Sequence, residues 1–261
     1  MRKPSCCVYK RSRMKFSLTK ILTLILIFSA STASRNAYAN VVEDLESPFT
    51  TPARTVFLVG AATTTALILL QRQIDIPLQK SVVASQPLGG LNKIGDYGGR
   101  MIPNGLYAAG MLAAHALHAP GAWEHFEVMA LGSIYAVSWS TLLKYTTGEP
   151  RPNASDKKSF PSGHATSAFS FASVVGAEHG WQWGVPAYAL AAMTGLSRMN
   201  TNNHYLHDVI AGFTIGASYG LGIHFLHGLK SGASASNKET APSLVVAPVD
   251  DGAVMIAKLR F

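Results

Sequence analysis

Six stretches of the chain, residues 55–71, 102–118, 126–143, 165–177, 184–197 and 209–226, are rich in Ala, Leu, Val and Gly and carry at most one Asp, Glu, Lys or Arg each. Gly, Pro, Asn and Asp punctuate the intervals between them. Runs this long and this apolar suit helices rather than strands. The expected fold class is therefore all-α, a bundle of about six core helices. Charged residues make up 14% of the chain against 48% apolar, which excludes disorder and implies a core-rich or membrane-associated protein. Length arithmetic bears on the membrane. Between His164 and Ser197 lie 32 residues that must hold two helices and a turn around Glu178-His179-Gly180. That leaves about 14 residues per helix, roughly 21 Å at 1.5 Å per residue, against a hydrocarbon core of about 30 Å. The expectation is a compact soluble or peripherally bound bundle, with an integral inner-membrane protein as the alternative. Residues 55–71 are the strongest candidate for a genuine span.

The formal charge of +8 suggests nucleic acid or an anionic surface, but its distribution removes that reading. Eight basic residues, Arg2, Lys3, Lys10, Arg11, Arg13, Lys15, Lys20 and Arg35, precede Asn40 without one acidic residue. Taking these eight from the 22 Lys and Arg leaves 14, equal to the 14 Asp and Glu. No nucleic-acid partner is expected. Residues 14–39 instead read as an export signal: a basic start, an apolar run from Ile21 to Phe28, and Ala37-Tyr38-Ala39 as a small-x-small cleavage site. Residues 1–39 are thus expected to be a signal peptide, with an uncleaved N-terminal anchor as the alternative and Met14 as a possible true start. Either places the remainder across a membrane, in the periplasm or on the periplasmic face of the envelope if the source is Gram-negative. Cys6 and Cys7, the only cysteines, lie in this leader, so no disulfide framework or thiolate site is expected downstream.

The catalytic domain is expected over residues 40–227 and a flexible Gly/Ser/Ala linker over 228–243. In residues 244–261 two apolar runs flank Asp250-Asp251-Gly252, the signal of a short C-terminal β-hairpin. A disordered tail is the alternative.

Polar residues interrupt the helices in three places. Lys144 ends one apolar run and Arg151-Pro152 follows; Pro161-Ser162-Gly163-His164 opens another; Ser197-Arg198 closes a third, with His204 and Asp208 leading into the last. A helix start at Ser162-Gly163 offers backbone N–H groups and a positive dipole end, an anion site. Lys144, Arg151 and Arg198 would neutralise a tetrahedral oxyanion from several sides; three cations together are costly unless an anion joins them. His204 and Asp208 stand four apart and share a helix face, so the carboxylate can hold one imidazole nitrogen protonated while the other attacks. His164 is then free to act as general acid.

In these residues the chain resembles the type 2 phosphatidic acid phosphatase superfamily, which includes bacterial class A acid phosphatases and vanadium haloperoxidases. Its three-part signature, K-x(6)-R-P, P-S-G-H and S-R-x(5)-H-x(3)-D, is matched at every position from Lys144 to Asp208, and the resemblance covers about residues 102–227. It implies that Lys144, Arg151, Ser162, Gly163 and Arg198 bind phosphate. It implies His204 as the nucleophile of a phosphohistidine, Asp208 as its orienter and His164 as acid and then base, with no metal and no cofactor. The expected function is a metal-independent phosphatase of phosphomonoesters or diphosphates, its partner a phosphorylated substrate such as an envelope lipid phosphate. A non-specific soluble periplasmic acid phosphatase and a vanadate-dependent haloperoxidase are the alternatives.

Other polar residues are assigned no chemistry. His207 lies outside the signature and is read as a surface residue or one behind the site. His115 with His118, and His224 with His227, stand three apart but have no cysteine or carboxylate beside them in sequence to complete a metal site. No carboxylate cluster that could hold a divalent ion is apparent near the three motifs.

Overall fold

The computed structural model describes the backbone of residues 35–228, 243–249 and 252–258, and side chains within 41–227. Among these residues are nine α-helices: α1 (Arg35–Thr50), α2 (Arg54–Leu69), α3 (Ile76–Ser85), α4 (Asn92–Gly98), α5 (Ile102–Ala116), α6 (Ala122–Thr147), α7 (Gly163–His179), α8 (Trp181–Asn200) and α9 (Leu206–Ile223). Contacts divide the chain into two compact units, up to Leu45 and from Glu46; everything below concerns the second. The leader, residues 1–34, and most of the linker lie outside the described residues.

All six apolar stretches are helices, and three further helices join them. α3 carries a mixed polar pattern, and α4 is seven residues containing two glycines, so neither has the apolar periodicity that marks a helix in sequence. The hairpin expectation needs correction. The body is helical throughout, with no strand between residues 35 and 228. The segments Ser243–Val249 and Gly252–Lys258 have only each other as strand partners, and a lone two-stranded ribbon has no second layer on which to bury a face. A β-hairpin is therefore no part of this fold.

The core lies where α6, α7, α8 and α9 meet, around Val128, Met129, Ala172, Val174, Ala191 and Ile223. Backbone proximity, more than side-chain bulk, joins α7 to α9. A Cβ on Gly216 would stand 2.2 Å from the Thr166 carbonyl oxygen, and one on Gly212 would stand 2.6 Å from that of Ser162. Gly220 repeats the pattern at 3.0 Å from Ser170 O. Glycines four apart form one stripe of α9, which lets the helices approach as small-x-x-x-small pairs do.

The expected turn at residues 178–180 contracts to a single residue. Only Gly180, at φ 81°, separates α7 from α8, a conformation that favours glycine. The two helices consequently run 17 and 20 residues, about 26 and 30 Å, longer than the length arithmetic allowed. Two helices of the described residues are long and apolar enough to cross a bilayer, Ala122–Thr147 and Leu206–His227. Residues 54–69 qualify only together with Val41–Thr50, as a bent pair.

Replacing Gly216 with Ala should destabilise the bundle by about 1–3 kcal/mol through overpacking. Gly105→Ala, at an exposed helix position where a Cβ meets nothing, should be neutral or stabilising by about 0.5–1 kcal/mol. Thermal unfolding followed by circular dichroism checks the pair; equal melting temperatures for the two variants would refute the close-contact argument.

Candidate active site

The three motifs converge at one end of the helices: the last turn of α6, the first of α7, the last of α8, and the loop leading into α9. Ser162 caps α7, in extended backbone at φ −73°, ψ 108°, with its hydroxyl accepting from Ala165 N–H. Its own N–H donates to Asp208 O at 2.9 Å. One correction to the sequence reading follows: Ser162 N–H is occupied, and the helix-start donors without an intrahelical acceptor are those of Gly163 and His164. A Cβ on Gly163 would meet Lys144 Cε at 3.6 Å, which puts the lysine beside that helix start. Lys144 Nζ donates to the carbonyls of Pro161 and, at 3.2 Å, Lys158.

His204 is 2% exposed. Arg151 Nη1 donates to His204 Nε2 at 3.2 Å, an arrangement that requires the lone pair on Nε2 and the proton on Nδ1. That proton faces Asp208 Oδ2 at 3.5 Å. The separation is longer than a good hydrogen bond and is of the kind that closes in a substrate complex. The carboxylate itself is fixed, accepting Ser159 Oγ–H at 2.6 Å and Tyr205 N–H at 2.8 Å on the same oxygen. The second of these bonds is an N-terminal cap of α9. Arg151 is oriented in turn by Asp156, at 2.7 Å from Nε.

The structure adds a residue that sequence reasoning missed. Asp96, on α4, accepts from Arg198 Nη1 at 2.7 Å, pairs with Arg100, and stands 3.3 Å from His164 Nε2. Gly99 brings α4 close, since a Cβ there would lie 2.7 Å from His164 Cδ2. A lone acid in NKIGDYGGR has no spacing relationship to the three motifs, so no sequence signal marks it.

Burial, with Arg198 adding to it, lowers the His164 imidazole to about 4. Burial likewise lowers His204 to about 4, Asp208 opposing and Lys144 and Arg151 reinforcing. Both rings are therefore neutral at pH 7. Four buried polar atoms here make no hydrogen bond: His164 Nε2, Arg198 Nε, His204 Nδ1 and Asp208 Oδ1. Three cationic side chains, a helix start, and a neutral imidazole with its lone pair on the nitrogen facing Arg151 form a site suited to an oxyanion.

His207 is no surface residue. It is 1% exposed, bonds Asp75 through Nδ1 and Glu149 through Nε2 at 2.9 Å, and lies 3.4 Å from Asp208 Oδ1. One ligand-type atom each from Glu149, His207 and Asp208 lies within 4.8 Å of the others, a cluster of metal-binding residue types hidden by the sequence separation of Glu149. His224 and His125 both bond Glu178, at the opposite ends of their helices from the motifs.

Parts of this chain are similar to known proteins. Over 81 residues, 30% of this chain, it is 37% identical to the lipid A 1-phosphatase of Porphyromonas gingivalis. Over 65 residues, 25% of this chain, it is 38% identical to the lipid A 4'-phosphatase of Helicobacter pylori. These matches span only 18% and 33% of the two relatives' own lengths. The crystal structure of Aquifex aeolicus LpxE aligns with 57% of this chain and 93% of that one, at 18% identity and a TM-score of 0.44. The family model of the PAP2 superfamily matches residues 121–230, the stretch that holds Lys144, Arg151, Ser162, Gly163, His164, Arg198, His204 and Asp208. The similarity to the PAP2 superfamily lies in that stretch, residues 121–230 of the 261.

Proposed function

We propose that the chain is a metal-independent phosphatase acting on phosphomonoesters or diphosphates of envelope lipids through a phosphohistidine on His204. The observation that carries the reading is the Arg151–His204 contact: the nitrogen that would attack phosphorus already faces the guanidinium that would hold a phosphoryl oxygen. Lys144, Arg198 and the Gly163 and His164 N–H groups complete the oxyanion cradle, with Ser162 shaping the helix start. His204 Nε2 forms the N–P bond as the P–O bond to the leaving group breaks. His164 gives that oxygen its proton, then takes one from the water that attacks the phosphohistidine and releases phosphate. His164 is neutral in the free protein; a bound phosphate dianion nearby favours its charged form, and the ring takes its proton from solvent as substrate binds.

Two features support a lipid substrate. Two relatives that match part of this chain are named lipid A phosphatases. The C-terminal end of Ala122–Thr147 and the N-terminal end of Leu206–His227, the two helices capable of crossing a bilayer, both carry site residues. If they span, a headgroup phosphate at one membrane surface meets the cradle directly. The export leader read in residues 14–39 would put the site on the periplasmic face of a Gram-negative envelope.

Purified protein should release phosphate from lipid phosphates in EDTA and be inhibited by vanadate; activity abolished by EDTA refutes the metal-free mechanism. His204→Ala should lower kcat by about 10³-fold or more, and Lys144→Ala or Arg198→Ala should lower kcat/KM by about 10²-fold or more. A panel of lipid and soluble phosphates decides the substrate class, preference for soluble esters overturning the lipid reading. In ¹⁵N-histidine spectra without phosphate, His164 and His204 should stay neutral until the pH falls to about 4. Titration of either ring near 6.5 contradicts the burial argument.

A further inference from the structure

We infer that His207 is a positioning residue of this active site, a buried imidazolium that holds Asp208 in register with His204. The inference rests on the proposed roles of His204 and Asp208. Each nitrogen of the His207 ring meets a carboxylate oxygen: Nδ1 meets Asp75, and Nε2 meets Glu149 at 2.9 Å and Asp208 Oδ1 at 3.4 Å. A carboxylate only accepts, so both nitrogens must donate and the ring carries a positive charge. A ring in that state has no lone pair for a metal ion, which resolves the Glu149, His207, Asp208 cluster as an ion network. The ring stacks on Phe160 and on Tyr205, at centroid distances of 5.9 and 5.5 Å and interplanar angles of 25° and 13°, so its orientation is fixed by packing as well as by bonds.

Asp208 consequently sits between two imidazoles, one for each oxygen. Oδ2 faces His204 and already takes two donors; Oδ1 makes no hydrogen bond and has His207 as its charged neighbour. The carboxylate is fully buried. Removing the charge opposite Oδ1 leaves that oxygen uncompensated, and the carboxylate must either gain a proton or turn to find a donor. Each response withdraws Oδ2 from His204 Nδ1. The far anchors tie this network to the rest of the site. Asp75 also accepts Leu206 N–H at 2.9 Å, at the first turn of α9. Glu149 stands two residues before Arg151.

The test uses the full chain in detergent micelles. His207→Gln should lower kcat about 10- to 100-fold, the range usual for a partner that orients a reacting group's neighbour, while KM and vanadate inhibition change less than about threefold. In an Asp208→Asn background the same substitution should have almost no further effect, because the two residues act as one unit. The ¹⁵N spectrum of the wild type at pH 7, with His207 assigned by its loss in His207→Gln, should show both ring nitrogens protonated. A kcat within twofold of wild type, a loss that persists undiminished beside Asp208→Asn, or a singly protonated His207 ring each overturns the inference. Parallel weakening of vanadate binding would mean general damage and overturns it too. If the wild type is active, His204→Ala dead and His207→Gln normal, only the positioning role falls. A wild type that releases no phosphate sinks the parent reading, and this inference with it.

Discussion

Backbone contact between α7 and α9 is what the rest of the molecule depends on. Gly212, Gly216 and Gly220 let α9 lie against the carbonyls of Ser162, Thr166 and Ser170, and the first of those carbonyls belongs to the cap of α7. The same two helix ends are stitched by Ser162 N–H to Asp208 O and by Ser159 Oγ to Asp208 Oδ2. A van der Waals constraint along two helices therefore sets the relation between the proposed phosphate cradle and the carboxylate behind His204. Bulkier residues on that stripe would separate the helices and widen the site together.

The electrostatic arrangement follows from this closeness. Residues beyond Asn40 are formally neutral, yet Lys144, Arg151 and Arg198 share one end of the bundle, each beside a carboxylate or carbonyl that offsets its burial. Two carboxylates do most of this. Asp96 serves the Arg198 and His164 side, and Asp208 serves His204. His164 and His204 are left as the neutral members of a charged cluster, the condition a nitrogen nucleophile requires.

Much of this was legible in the sequence. The six long helices showed in their low charge and length, and the cations, histidines and Asp208 showed in fixed spacings along short segments, where helix geometry converts sequence distance into facing side chains. What stayed hidden came from pairs far apart in the chain. Asp75 and Asp96 act on residues more than 60 positions away and belong to segments without apolar periodicity. His207 looked peripheral because its partners, Asp75 and Glu149, share no motif with it. The apolar runs flanking Asp250-Asp251-Gly252 were a local signal only, and the hairpin read from them is no part of the helical fold.

Gly180 carries a consequence for how this chain can vary. It is the only residue between α7 and α8, so the antiparallel arms it joins act as a caliper whose tips bear Gly163-His164 and Arg198. Each arm measures about 26 Å from hinge to tip. Adding one residue to either arm would shift its tip by 1.5 Å and rotate it by about 100°, swinging the histidine or the arginine away from the other. The interval between the second and third motifs is thus a ruled length, and an insertion that preserves the site must be matched on both sides of the hinge or fall outside the caliper altogether.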